Sequence, residues 1–353
     1  MTAPLSPRLL SVATASPPHV LHQSEVTMRA RDIFGRRQGE FDRIAPVFEN
    51  AGIRTRRSVQ PIAWYSEPAG WPERTRAYLE GGCDLFIAAA QNALDKAGLQ
   101  ASDVDTVVTV SSTGIATPSL EARAAERLGL RPDVARIPVF GLGCAGGVTG
   151  LGLAAKLAKA TPGSLVLLVC VELCTLSFRG EAFSKANIVA TALFGDGAAA
   201  ALVRAGDRDG AVEITGSAEH QWPGTLDIMG WDVDAEGLGV VFAKSIPPFA
   251  EEHLGAAMEG LLARMGLARE DVGRFACHPG GAKVITALER SLGLPQGELD
   301  IERDVLSEFG NMSAPTALFV LDRVLERPGP DVTVLTAMGP GFTASACALA
   351  RVA

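Results

Sequence analysis

GLQASDVDTVVTV at 98–110 and GLAREDVGRFAC at 266–277 are the two stretches from which the fold is read. Each opens on Gly-Leu and reaches Asp-Val at the same spacing: Asp103-Val104 in one, Asp271-Val272 in the other, 168 residues later. Before each lies an amphipathic helical pattern, Leu85, Ala88, Ala89 and Leu94 in the first and Leu254, Met258, Leu261 and Leu262 in the second. After each comes a short apolar strand, Thr106–Val110 and Arg274–Cys277. Outward from this pair, AERLGL (125–130) answers LERSLGL (288–294). Pro162-Gly163 and Pro328-Gly329 punctuate both halves before apolar strands, Leu165–Val171 and Val332–Ala337. Both halves close on runs of small and apolar residues, Gly197–Val203 and Phe342–Val352. Alternating helices and strands predict an α/β fold with helix-covered sheets. The repetition predicts two similar halves about a pseudo-twofold axis, residues 1–210 and 211–353, with the DRDG turn (207–210) at their boundary.

The composition agrees with a large folded core. The chain has 353 residues, room for about two domains. It is 47% apolar and 20% charged, which excludes intrinsic disorder. The net charge is −8, with no basic block to offset it, so binding nucleic acid through a general electrostatic footprint is not expected. No apolar run approaches the roughly 18 residues a membrane span needs, and the N-terminus lacks a continuous signal-peptide core. Six cysteines are too few for a disulfide scaffold and predict reduced thiols in a cytoplasmic protein.

The repeat aligns Gly143-Cys144 with Gly310-Asn311, each pair ahead of a helix: Val148–Ala160 and Pro315–Leu325. A thiol and an amide thus occupy equivalent turns, and His278 follows the strand Phe275–Cys277 near the same face, where ligands bind in α/β sheets. A helix end and a neighbouring imidazolium lower a thiol's pKa. A thiolate there attacks an acyl thioester, and His with Asn donates hydrogen bonds to an oxyanion or enolate. Each residue alone also fits a structural role, Cys144 as a small buried hydrophobe, His278 as a turn cap and Asn311 as a helix cap. Gly141-x-Gly143-x-x-Gly146 also matches a dinucleotide fingerprint, with Glu172 as the acidic ribose partner, and keeps an NAD-dependent oxidoreductase open. Against it stand the motif's depth in the chain and the unexplained second copy, GNMSAP. A metal site is poorly served, since Cys170 and Cys174 lack a second pair.

Together the motifs resemble the type III polyketide synthases, the chalcone-synthase-like branch of the thiolase superfamily. The resemblance spans nearly the whole chain. Its carriers are VFGLGCAGGVTGL (139–151), ELCTLSFRG (172–180), ALFGDGAAAAL (192–202), CHPGGAKVI (277–285), GNMSAPTALFVL (310–321) and GPGF (339–342). It implies a thiolase-like five-layered αβαβα fold and a homodimer, with the TGIATP loop (113–118) near the interface and Thr117 near the partner's cavity. Cys144 would carry the acyl chain, and His278 with Asn311 would promote malonyl-CoA decarboxylation. Phe194 would be a gatekeeper between the CoA tunnel and the cavity, and Ser313, Gly341 and Phe342 would line that cavity. Arg43 and Gly280 would contact CoA, with Arg54, Arg56 and Arg57 as further phosphate candidates. The substrates implied are an acyl-CoA starter and malonyl-CoA, with no other cofactor.

Departures from the plant-like pattern bear on the product. Val240 stands where those members carry a second gatekeeper Phe, Ser177 replaces a Thr, and Trp231 replaces a cavity-wall Gly. MGWDV with the following VVF looks like bacterial members that accept fatty acyl starters and make alkylpyrones or alkylresorcinols. A malonyl- or small-acyl-primed synthase making phloroglucinol- or naphthalene-type products is the alternative, and a catalytically idle binding member is another.

Overall fold

The computed structural model describes residues 5–35, 38–67, 69–206 and 212–352. The first half runs β1 (Pro7–Ala15), β2 (His19–His22), α1 (Gln23–Phe34), α2 (Gln38–Ile44), α3 (Pro46–Asn50), β3 (Thr55–Ser58), α4 (Trp71–Ala97), β4 (Thr106–Val110), α5 (Leu120–Leu128), β5 (Ala135–Val139), α6 (Gly146–Ala160), β6 (Leu165–Leu173), α7 (Lys185–Leu193) and β7 (Asp196–Ala205). The second runs β8 (Val212–Gln221), β9 (Met229–Asp234), β10 (Gly237–Phe242), α8 (Ile246–Arg264), β11 (Arg274–Cys277), α9 (Ala282–Ser291), α10 (Asp300–Phe309), α11 (Ala314–Glu326), β12 (Val332–Gly339) and β13 (Thr343–Arg351). The DRDG turn lies outside the described residues.

The repeated Gly-Leu-x-x-x-Asp-Val stretch is one device built twice. Gly98 and Gly266 take left-handed φ of 66° and 75°, which stops the helix before them. The leucine N–H then reaches back to the last turn: Leu99 N to Leu94 O, and Leu267 N to Leu262 O, both 3.0 Å. Next, Asp103 Oδ2 accepts from Gln100 N and Asp271 Oδ2 from Ala268 N, each at 2.8 Å, capping a short 3₁₀ turn. The strand starts directly after. AERLGL and LERSLGL end α5 and α9 with the same hook, at Gly129 and Gly293.

The strands pair in the order β11-β12-β13-β8-β1-β7-β6-β4-β5. Read outward from the centre, β8-β13-β12-β11 repeats β1-β7-β6-β4, and β5 has no counterpart among the described residues. The orientations repeat too: β4/β6 and β11/β12 are parallel, while the other equivalent pairs are antiparallel. Two residue pairs, Arg8↔Glu213 and Leu9↔Val212, stitch the halves together.

Alternation along the strands makes the layers. In β6, Val166, Leu168 and Cys170 face one core, while Leu165, Leu167, Val169, Val171 and Leu173 face another. The first core is central and holds α6 and α11, each touching strands of both halves. The second lies under α4 and α5, and a third under α8 and α9. The result is αβαβα. A fourth cluster, built on Phe34, Phe41 and Phe48, caps the molecule with α1–α3. Among the described residues, no helix is long and apolar enough to cross a membrane.

Candidate active site

Three segments meet at one buried pocket. Cys144 lies in a 3₁₀ turn, Gly143–Ala145, directly before α6. His278 follows β11, its N–H donating to Thr336 O of β12 at 2.8 Å. Asn311 precedes α11. All three side chains line the same pocket of about 20 Å³, with Met229, Phe242, Ile246, Gly280 and Met338 among its walls.

Asn311 is held by its backbone and its side chain. Its N–H donates to Leu193 O at 2.8 Å and its carbonyl accepts from Gly195 N at 3.0 Å, which docks the FGDG element against GNMS. Gly195 has to be glycine, because a Cβ there would lie 2.3 Å from Phe309 O. Ser313 N donates to Asn311 Oδ1 at 2.8 Å. A backbone N–H only donates, so this bond fixes which end of the amide is oxygen. Nδ2 donates one hydrogen to Gly280 O at 3.2 Å, and no second acceptor stands among the described residues. Ser313 pays for its place with φ 57°, a left-handed angle on a non-glycine residue.

Cys144 Sγ stands 4.0 Å from Asn311 Oδ1. Burial pushes the thiol up to about 11; hydrogen bonding with Ser313 and Asn311 opposes this, and Glu172 adds to it. Burial holds the His278 imidazole down at about 4. The resting pair is therefore a neutral thiol and a neutral imidazole, whereas the sequence argued for a thiol lowered by the helix end and an imidazolium. Desolvation is the largest cause for the thiol and the one cause for the imidazole. Both His278 ring nitrogens are buried and without a hydrogen-bond partner among the described residues.

A second cavity, about 570 Å³, adjoins this pocket and shares Phe242, Gly280 and Val284 with it. Arg43, Lys185, Lys244 and Lys283 line it, and among the described residues no carboxylate does. In a chain of net charge −8, such a cluster favours an anionic ligand.

Residues 72–207 match the family model for the N-terminal domain of chalcone and stilbene synthases, and residues 213–353 match that for the C-terminal domain. The chain belongs to the chalcone and stilbene synthase family. It is 42% identical over 341 residues to the 1,3,6,8-tetrahydroxynaphthalene synthase of Streptomyces peucetius subsp. caesius, covering 95% of this chain and 90% of that protein. It is 29% identical over 347 residues to the alpha-pyrone synthesis polyketide synthase-like Pks18 of Mycobacterium tuberculosis, covering 94% and 88%. The crystal structure of 1,3,6,8-tetrahydroxynaphthalene synthase from Streptomyces coelicolor A3(2), a bacterial type III polyketide synthase, superposes with a TM-score of 0.92 at 29% identity, covering 98% of this chain and 99% of that one.

Membership in the chalcone and stilbene synthase family removes the oxidoreductase alternative, and the geometry explains why the fingerprint misled. A Cβ on Gly147 would lie 2.3 Å from Ala314 O, and one on Gly146 would lie 2.6 Å from Val110. Gly146 is thus a packing residue of the fingerprint, as is Gly143, whose Cβ would lie 2.6 Å from Pro340 Cδ; Gly147, just outside the fingerprint, lets α6 approach α11. Glu172 is fully buried, its carboxylate accepting from Ser112 N and Thr113 Oγ1.

The remaining sequence candidates divide. Arg43 and Gly280 line the cationic cavity. Arg56 does not: it is buried, and donates to Thr191 O, Ala192 O, Phe194 O and Gln23 Oε1. Arg54 donates to Ser307 Oγ, and Arg57 is not among the residues lining that cavity. Phe194 and Ser177 line a separate, mostly apolar cavity of about 60 Å³ with Leu21, Val26, Ile33 and Tyr65. Val240 pairs with Trp231 in the β9–β10 hairpin, and Phe242, two residues on, stands where the two cavities meet. Gly341 and Phe342 are not among the residues lining the pocket at Cys144: Phe342 packs against Trp222 and Phe249, and Gly341 O accepts from Gln221 Nε2. Thr117 is exposed in the loop between β4 and α5. Lys185, Lys244, Lys283 and Phe242 were missed from sequence, since no spacing links residues that only folding assembles.

Proposed function

We propose that the chain takes an acyl group from a CoA thioester onto Cys144 and extends it with malonyl-CoA. The observation that carries this is the pocket shared by a thiol, an imidazole and an amide, opening toward a cavity ringed by four cations. Those cations hold the CoA phosphates at the mouth. Neutral His278 accepts the Cys144 proton as sulfur attacks the thioester carbonyl, and the CoA thiolate leaves with that proton. Malonyl-CoA then loses CO₂, and its electron pair stays on the enolate. The free hydrogen on Asn311 Nδ2 and the His278 N–H donate to the enolate oxygen. The enolate carbon attacks the acyl group, and the Cys144 thiolate departs. Further rounds and cyclisation follow. These steps draw on no cofactor beyond the CoA thioesters.

We assign a fatty acyl starter and an alkylpyrone or alkylresorcinol product, supported by the 29% identity to an alpha-pyrone synthesis polyketide synthase-like protein. A malonyl starter with a naphthalene-type product is the second reading, favoured by the 42% identity to a tetrahydroxynaphthalene synthase. Competition between long acyl-CoA and malonyl-CoA as starters, with [14C]malonyl-CoA as extender, separates them. Alkylated products must dominate under the first; labelled product insensitive to added acyl-CoA supports the second; no product with any starter removes both. The exposed Ile115 and Phe140 beside Thr117 line a hollow of about 390 Å³, which fits the homodimer the resemblance implies; sedimentation velocity tests it.

A further inference from the structure

The turn that carries the nucleophile hangs on one hydroxyl. Gly141 and Gly143 have left-handed φ of 90° and 47°, which turns both N–H groups toward the end of β4. There they donate to a single atom, Ser112 Oγ, at 3.1 and 3.3 Å. Ser112 is buried and its other two polar groups are also committed. Its N–H lies 3.1 and 3.0 Å from the two oxygens of Glu172, at the end of β6. Its carbonyl accepts from Trp231 Nε1, on β9, at 2.6 Å. Thr113 braces the same carboxyl group: its hydroxyl donates to Glu172 at 2.7 Å and accepts from Leu173 N at 2.8 Å. On the turn's other side stands Pro340, whose Cδ would lie 2.6 Å from a Cβ on Gly143. Three segments far apart in sequence thus fix Ser112, and Ser112 with Pro340 fixes the height of Cys144 above Asn311.

We propose that Ser112 is a positioning residue for acyl transfer, its hydroxyl oxygen holding the Cys144 turn in register with His278 and Asn311. It touches no reacting atom. Without Oγ, two buried N–H groups lose their acceptor and the turn is free to settle elsewhere. The inference rests on Cys144 being the nucleophile.

The test compares Ser112→Ala, Ser112→Thr and Ser112→Cys in the full-length protein, reading kcat, KM for malonyl-CoA and the pH profile of Cys144 alkylation. A serine that only stabilised the fold would lower the melting temperature and leave that profile alone. Ser112→Ala is expected to lower kcat about 10- to 100-fold at little-changed KM and to move the alkylation profile, since a small misplacement of a reacting group costs that much. Ser112→Thr, which keeps the oxygen, restores both. Should Ser112→Ala not fold, Ser112→Cys carries the comparison, because its sulfur keeps the volume but accepts weakly. A folded Ser112→Ala or Ser112→Cys protein with the parent's kcat and alkylation profile overturns the proposal, as does a loss that Ser112→Thr fails to restore. If Cys144→Ala still loads acyl groups, the reading of the site itself has failed. If Cys144 is required and Ser112→Ala behaves normally, only this inference has.

Discussion

His278 is the residue whose environment says most about the chemistry. An imidazole whose two buried nitrogens have no partner among the described residues is costly to keep, and burial holds it neutral down to about pH 4. It is therefore available as a base at neutral pH, and it faces a thiol that burial holds protonated up to about 11. Iodoacetamide labelling of Cys144, followed by peptide mass spectrometry, should climb steadily from pH 7 toward 10. A plateau already reached at pH 7 would mean a resting thiolate. The same burial links His278 to stability. Its folded pKa is depressed from 6.5 to about 4, so the unfolded chain takes up a proton that the folded one refuses. Stability from this group is complete above pH 6.5 and falls as pH drops toward 4, by up to about 3 kcal/mol. Urea denaturation at pH 7 and pH 4.5 should show a smaller loss for His278→Gln than for the parent protein; an equal loss places the acid sensitivity elsewhere.

At the scale of elements, the paired Gly-Leu-x-x-x-Asp-Val stretches explain why so much was legible. Each contains its own helix stop, capped turn and strand start, so local rules decide the structure. The strands Thr106–Val110 and Arg274–Cys277 have the bounds their apolar runs suggest. Removing a cap, Asp103→Ala or Asp271→Ala, should cost about 1 kcal/mol each by denaturant unfolding; no change would show the caps idle. Gly147→Val should be far worse, since its Cβ would sit 2.3 Å from Ala314 O, and a melting temperature equal to the parent's would contradict the close crossing of α6 and α11. That crossing is also where the sequence misled. Glycines spaced for a phosphate loop and glycines spaced for helix contact look alike until the neighbour is known. The N-terminal cap was equally silent: α2 and α3 span seven and five residues, too short to show a period.

Across the whole molecule, the repeat brings one turn from each half to a shared pocket, and the second half adds His278. This much could be argued from Cys144 and Asn311 aligning 167 residues apart. Beyond Arg43, which the resemblance named, the cationic mouth could not, because Lys185, Lys244 and Lys283 come from three segments with no common pattern. Reversing two of them, Lys244→Glu with Lys283→Glu, should raise KM for acyl-CoA about tenfold with kcat little changed and weaken the salt dependence of binding. An unaltered KM would show that the phosphates sit elsewhere. The most direct check on the account is peptide mass spectrometry of the protein quenched in acid after brief exposure to an acyl-CoA starter. One thioester-linked acyl group on the peptide containing Cys144, absent in His278→Ala at short times, is the predicted result. Product formation with the acyl group on another cysteine, or on none, would contradict it.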